Sequence, residues 1–247
     1  MVRLGIALIA SIALAGCIGN RIQQGQIELT YGSAAAELAP AAAERADEAA
    51  KKIAAFWGED YTRTIRINID SYERRSNTRI RDGFISLALS SAKVRSSTIE
   101  HELTHVIVGS DPSMRRYLIE GIAMYCEARF SFLNGNTPER LAVLIDDRAR
   151  KAIREGRYIR LDRTDGAIVD TALAYPKQRA AAYFESASFV KYLLDTYGLA
   201  PFKRVYRGFD FDPVYAKTLE HLEAEWLDAT FPELGGHKLM ITETAAG

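Results

Sequence analysis

Two histidines four residues apart, with a glutamate beside the first, lie in the stretch SSTIEHELTHVIVG at residues 96–109. Side chains at this spacing lie one above the other on an α-helix, so His101 and His105 project from one face about 6 Å apart. Two imidazoles placed in this way reach one ion at metal–nitrogen distances of about 2.0–2.1 Å. The spacing therefore predicts a helix here that holds a metal ion.

The glutamate in this stretch is placed for acid–base chemistry. Glu102 points about 100° around the helix from His101, beside a bound ion rather than on it. A general base in that place takes a proton from a metal-bound water. Zinc suits the site because it accepts imidazole, has no redox chemistry and lowers the pKa of its water to about 7. The alternative interpretation is a helix in which the two histidines are incidental.

A hydrolytic zinc site needs a third protein ligand, and the sequence offers three candidates. Asp111 lies where an extended histidine motif places its last ligand, but that motif needs glycine three residues after the second histidine, where Val108 stands. Glu120 lies at the start of the next predicted helix, and Glu127 about two turns further along a similar face. We favour Glu120, because the first turns of an antiparallel second helix come near the end of the first. Either glutamate is otherwise a solvated helix residue.

The residues before the histidine helix alternate between strand and helix patterns. The predicted order is strand, helix, strand, strand, at 26–31, 40–57, 64–70 and 83–90. A polar turn with Ser76 and Asn77 precedes the last strand.

From Ser97, which with Glu100 forms a capping-box pattern, the chain is almost wholly helical. Further helices are predicted within 114–133, 137–156, 180–198, 200–209 and 212–230, and an irregular stretch at 157–179. The predicted fold class is α+β, with a small N-terminal mixed sheet and a helix, then a mainly helical half that carries the zinc-binding helix pair.

The first residues have the layout of a secretory signal, in which Arg3 precedes an apolar run that ends in small residues. The ending LAGC resembles a bacterial lipoprotein signal motif. The resemblance implies that residues 1–16 are removed and that Cys17 then carries the lipid. Because Ile18 rather than aspartate follows, the resemblance implies a protein anchored in the outer membrane of a bacterial envelope, facing the periplasm.

The remaining composition limits the partners and the domain organisation. Lys+Arg and Asp+Glu both total 32, so no net charge favours nucleic acid. With Cys17 lipidated, Cys126 has no partner for an intrachain disulfide, and we predict a buried, inert thiol. The predicted division is a lipid-anchored tether at 17–24, one catalytic domain at 25–232 and a tail at 233–247.

The two helices of the predicted metal site resemble those of a known enzyme group. HELTH followed by YLIEGIAMYCE is similar to the gluzincin zinc metallopeptidases, which are thermolysin-like, and more narrowly to bacterial peptidase-MA-like domains. AAYFESASFVKYLLDTYG and LEHLEAEW extend the similarity, which covers most of residues 25–230. Tyr117 stands where that group usually has tryptophan.

The resemblance implies one zinc ion per chain, with a general base and three protein ligands. It assigns Glu102 as the base and His101, His105 and Glu120 as the ligands. It also implies a tyrosine as oxyanion donor, for which Tyr183 holds the matching position.

Further expectations concern the cleft. Tyr175, in the neighbouring loop, is a weaker candidate for the oxyanion donor, and core packing is the alternative role for Tyr183. The strand at 83–90 is expected to border the cleft as an edge that pairs with an extended peptide.

These features predict a zinc-dependent metallopeptidase that cleaves peptide or protein substrates and is held at the membrane by lipid on Cys17. The sequence leaves two alternative functions open. The first is a catalytically silent zinc-binding domain that serves as a binding or assembly module. The second is an envelope lipoprotein without metal, which scaffolds a surface assembly.

Overall fold

The N-terminal part of the chain forms a five-stranded mixed sheet. A computed structural model describes residues 19–70, 76–92, 98–109, 114–131, 138–169 and 176–240. The strands are β1 Asn20–Gln24, β2 Ile27–Tyr31, β3 Ile65–Asp70, β4 Asn77–Arg79 and β5 Phe84–Ala88, in the order β1-β2-β3-β5-β4. β2, β3 and β5 are parallel, whereas the outer pairs β1–β2 and β4–β5 are antiparallel.

The alternating sequence of the central strands gives the sheet a buried face. Ile65, Ile67 and Ile69 of β3 are buried, whereas Arg66 between them is exposed. Helix α1, Ala39–Trp57, makes the crossover between parallel β2 and β3 and contacts β1 and β2. Its buried side consists mostly of alanines, whose small side chains permit close packing.

Ordered structure extends beyond both predicted bounds of the domain at 25–232. Residues 17–24 were assigned to a tether, but Asn20–Gln24 is strand β1. The strand is polar and mostly exposed, so it has no apolar alternation, and it forms by pairing with β2, with Arg21 bonded to Glu28 at 2.7 Å. In the segment assigned to a tail, Met240 is buried.

The edge of the sheet beside the helices is β4, not the strand predicted for that role. The segment 83–90 contains β5, which is hydrogen-bonded on both sides, to β3 and to β4. β4 arises from the predicted polar turn at Ser76 and Asn77 and has three residues. The expectation that 83–90 forms the edge is therefore wrong. The true edge strand, β4, could not be recognised in the sequence, because it is too short and polar to show an alternating pattern.

The rest of the described chain is helical, which confirms the α+β class. The further helices are α2 Thr98–Val108, α3 Arg116–Phe130, α4 Pro138–Arg154, α5 Leu161–Val169, α6 Pro176–Tyr197, α7 Leu199–Tyr206, α8 Phe211–Tyr215 and α9 Leu219–Thr230. α6 runs against α3, α4 and α5. In the part of the chain that the structure describes, no helix has the length and apolar character needed to cross a bilayer.

Helix α5 lies within the stretch 157–179 that was predicted to be irregular. Two buried carboxylates from distant helices bind the backbone at its start: Glu223 accepts a hydrogen bond from the Leu161 N–H at 2.7 Å, and Glu185 accepts one from the Ile159 N–H at 3.1 Å. These tertiary partners satisfy amides that a local cap would otherwise bind. The local sequence therefore gives no sign of the helix.

Cys126 is fully buried, and burial raises the pKa of its thiol to about 12. The thiol is therefore protonated at neutral pH, which agrees with the predicted inert role. Cys17 and the predicted cap Ser97 lie outside the described residues.

A buried ion pair joins α1 to α2. Arg45 Nε donates to Glu100 Oε1 at 2.8 Å, and Arg45 Nη2 forms a second, short hydrogen bond to Glu100 Oε2. The Glu100 side chain is fully buried and that of Arg45 is 10% exposed. Such a bidentate pair fixes the distance and the rotation of two helices together. Because Glu100 precedes His101, the pair orients the helix that carries the histidines.

We expect Arg45→Ala to lower the free energy of unfolding by roughly 3–5 kcal/mol, because it leaves the Glu100 carboxylate buried without its partner. Chemical denaturation followed by circular dichroism measures this change. Lys52→Ala, which removes the exposed pair with Glu48 on the same helix, is the matched control and should cost no more than about 1 kcal/mol. Equal losses in the two variants would contradict the assigned role of Arg45.

Candidate metal centre

Helix α2 presents both histidines toward a cleft. The rings of His101 and His105 lie edge to face with centroids 4.8 Å apart, as expected for residues one turn apart on one helix face. Ile99 and Leu103 are buried in the core and hold the helix in place.

Helix α3 brings a carboxylate to the two imidazoles. Glu120 Oε2 lies 3.3 Å from His101 Nε2 and 3.6 Å from His105 Nε2. The three ligand atoms all lie within 4.8 Å of one another. Of the two candidates for a third ligand that the structure describes, Glu120 is the one whose carboxylate lies near both histidines. Asp111, the other candidate, lies outside the described residues.

A glycine beside Glu120 permits a close contact between α3 and α6. A Cβ atom on Gly121 would lie 2.7 Å from the Ser186 carbonyl oxygen and 2.7 Å from Val190 Cγ2, closer than packed atoms allow. The absence of a side chain therefore lets the two helices touch through their backbones. This contact brings Tyr183, one turn before Ser186 on α6, to the cleft.

Glu127, the other glutamate considered as a ligand, contacts the opposite side of a histidine ring. Its Oε2 lies 3.1 Å from His101 Nδ1. An imidazole that donates from Nδ1 to a carboxylate has Nε2 free to bind a metal, and the carboxylate fixes the orientation of the ring. Glu127 is therefore placed to orient His101 rather than to bind an ion itself.

The electrostatics of the cluster favour a cation. Burial alone would lower the pKa of His101, but hydrogen bonds to Glu120 and Glu127 outweigh it and raise that pKa to about 10. Burial would raise the pKa of Glu120, yet hydrogen bonds to the two imidazoles hold it well below its usual range. The carboxylate is therefore ionised at neutral pH. A metal ion among these groups replaces the proton that His101 otherwise holds.

The donor set fits zinc. Two imidazole nitrogens and one carboxylate oxygen form a three-ligand set of the kind that leaves a fourth position open in catalytic zinc sites. The carboxylate of Glu127 behind His101 provides the outer hydrogen bond that metal-binding histidines commonly have. His101, His105 and Glu120 are therefore the residues that would hold the ion.

Glu102 is mostly buried beside the cluster, and its carboxylate contacts the sheet. The Thr78 hydroxyl, on edge strand β4, donates a short hydrogen bond to Glu102 Oε2. The side chain of Glu102 lines the cleft but is not part of the three-ligand group. This is the arrangement expected of a base that lies beside a metal. The role of Thr78 was not predicted, because its partner is 24 residues away in the sequence.

Tyr183 borders the cleft from α6. Its hydroxyl accepts a hydrogen bond from Arg179 Nη2 at 3.3 Å. Burial, and then the nearby Glu120 carboxylate, raise the pKa of the phenol, so it is protonated at neutral pH. Tyr175, the weaker candidate, lies outside the described residues.

The cleft itself lies between the sheet edge and helices α2, α3 and α6, with a volume of about 250 Å³. It is lined by Ser76, Asn77, Thr78, Ile80, His101, Glu102, His105, Arg116, Ile119, Glu120 and Tyr183. Sequence reasoning missed the wall formed by β4 and the presence of Arg116. The position of Arg116, one turn before Glu120 on the same helix, is a signal that could have identified it.

Comparison of the chain with protein-family models, curated proteins and solved structures finds no match. A functional interpretation therefore depends on the residues of the cleft and their geometry.

We expect Glu127→Ala to weaken zinc binding by roughly 10–100-fold, because His101 loses the hydrogen bond that orients its ring. Competition with a chromophoric chelator measures the affinity. Glu48→Ala, which removes a half-exposed carboxylate on α1 that does not line the cleft, is the control and should bind zinc as tightly as the native chain. An unchanged affinity in Glu127→Ala would show that this carboxylate does not support the ligand.

Proposed function

We propose that this chain is a zinc-dependent metallopeptidase of gluzincin type, which hydrolyses peptide bonds with a water molecule. The observation that carries the proposal is the convergence of His101 Nε2, His105 Nε2 and Glu120 Oε2 at a cleft that also contains Glu102. A carboxylate beside the ligands, rather than among them, is a feature that a purely structural zinc site does not need.

Zinc held by the two histidines and Glu120 would supply a Lewis acid that polarises the peptide carbonyl and lowers the pKa of a coordinated water. Glu102 accepts the proton of the attacking water and then delivers it to the amine nitrogen as the C–N bond breaks. Thr78 holds Oε2 of that carboxylate, so that the group has one fixed orientation during both transfers.

Tyr183 stabilises the negative charge that develops on the carbonyl oxygen. Its phenol is protonated and lines the same cleft as Glu102 and Glu120. A hydrogen-bond donor already in place at the developing oxyanion lowers the barrier without reorganisation. Arg179, which donates to the phenol oxygen, leaves its hydrogen available for this bond.

The substrate lies along β4 in an extended conformation. Among the strands that the structure describes, β4 pairs with β5 alone, so its outer edge offers backbone groups to a further strand. Ser76 and Asn77 also line the cleft, which places this edge beside the metal ligands. Binding through main-chain hydrogen bonds would accept many peptide sequences.

The enzyme is anchored in the bacterial envelope through lipid on Cys17. This part of the proposal depends on the lipoprotein-like LAGC ending of the N-terminal segment. Several acyl chains together would hold it firmly at the membrane, since each buried methylene contributes about 0.8 kcal/mol.

We expect Glu102→Gln to retain zinc but to lose roughly 10²–10⁴-fold in peptide hydrolysis, because glutamine keeps the shape of the side chain but cannot accept the proton. Turnover of a broad library of fluorogenic peptides by the full chain, with zinc content measured in parallel, tests this. Glu48→Gln is the matched control and should cleave at the native rate.

Two results would contradict the proposal. Native-like cleavage by Glu102→Gln would exclude this residue as the base. A native chain that binds zinc but cleaves no peptide would instead favour a catalytically silent zinc-binding module.

A further inference from the structure

The charges that line the cleft do not balance once a divalent ion is bound. Glu102 and Glu120 are the carboxylates that line it, and together they offset the two positive charges of the ion. Among the described residues of the lining, Arg116 is the one permanently charged cation. The side chains that line the metal-loaded cleft therefore leave one positive charge, at Arg116, whereas the carboxylate of Glu127 lies behind His101 and is not in the lining.

Arg116 is placed to meet a bound molecule. It is the first residue of α3, one turn before Glu120, so the two side chains leave the same face of the helix. It is exposed and lines the cleft, and no carboxylate among the described residues forms an ion pair with it.

Arg115, the residue before Arg116, has a structural role that differs from that of Arg116. Arg115 is bonded to Asp210 at 3.0 Å and lies over the ring of Phe211 at 5.0 Å. Arg115 thus ties the start of α3 to α8, a role that Arg116 does not share. Arg179, the other cation near the cleft, is bonded to the hydroxyl of Tyr183.

We propose that Arg116 binds a carboxylate of the substrate, so that the cleft selects peptides with a negative charge near the scissile bond. The inference rests on the proposed peptidase function and names its substrate class. A guanidinium pairs with a carboxylate through two parallel hydrogen bonds, which gives direction as well as charge attraction. The carboxylate has two possible sources: the C-terminus of a peptide, or the side chain of an aspartate or glutamate.

Matched peptides separate the two sources. One pair differs only by glutamate or glutamine on either side of the cleaved bond, and the other only by a free or an amidated C-terminus. The zinc-loaded full chain should cleave one charged member about tenfold or more faster, in kcat/KM, than its neutral partner. Preference in the first pair identifies side-chain recognition, and preference in the second identifies an enzyme that acts near C-termini.

Substitutions of Arg116 test whether this residue causes the preference for charged substrates. In Arg116→Gln the ratio of charged to neutral substrate should fall to about one, and in Arg116→Glu it should favour a lysine peptide over the glutamate peptide. Arg204→Gln removes the same charge from an exposed position on α7 that does not line the cleft, and it should keep the native ratio. A native chain without preference in either pair, or an Arg116→Gln variant that keeps the preference, would overturn the proposal.

A binding measurement tests carboxylate recognition by Arg116 even if the proposed peptidase activity is absent. Fluorescence anisotropy gives the affinity of labelled peptides for zinc-loaded Glu102→Gln, with and without Arg116→Gln. Tighter binding of the charged peptide, lost with Arg116, would support carboxylate recognition even if the native chain hydrolyses nothing. Equal binding of charged and neutral peptides would overturn it, whatever the rate of hydrolysis.

Discussion

The buried ion pair between Arg45 and Glu100 is the contact on which the rest of the site depends. It fixes the rotation of α2 against α1, which itself packs on the sheet. Since His101 and Glu102 follow Glu100 directly, a change in that rotation would move the proposed metal ligand and the proposed base together. The hydrogen bond from Thr78 then links the same helix to the sheet edge, so α2 is bound to α1 through Glu100 and to β4 through Glu102.

The second half of the site comes from α3, which contacts α2 and α6 through two successive residues. Glu120 points to the histidines of α2, and Gly121 touches the backbone of α6 at Ser186. One helix therefore sets the distance from the ligands to Tyr183. Glu127, two turns later, contacts the first histidine, so that α3 carries one proposed ligand and orients another.

The sequence predicts the features that depend on one helix alone, but not those that depend on contacts between distant segments. The spacing of His101 and His105, and Glu102 between them, follow from the periodicity of one helix. Glu120 could be expected from the length of a helix hairpin, but the contact of Glu127 with an imidazole depends on how two helices pack. Tertiary contacts also explain α5, whose start is bound by Glu223 and Glu185 from other helices. They explain β1 as well, a polar strand that pairs with β2 and contacts α1.

The most direct test of the central claim is the zinc content of the full chain, purified without added metal and compared with Glu120→Ala and with the Glu48→Ala control. We expect about one zinc per chain in the native protein and in the control, and a loss or strong weakening of binding in Glu120→Ala. A native chain that holds no zinc, even after zinc is supplied, would exclude a zinc site at His101, His105 and Glu120.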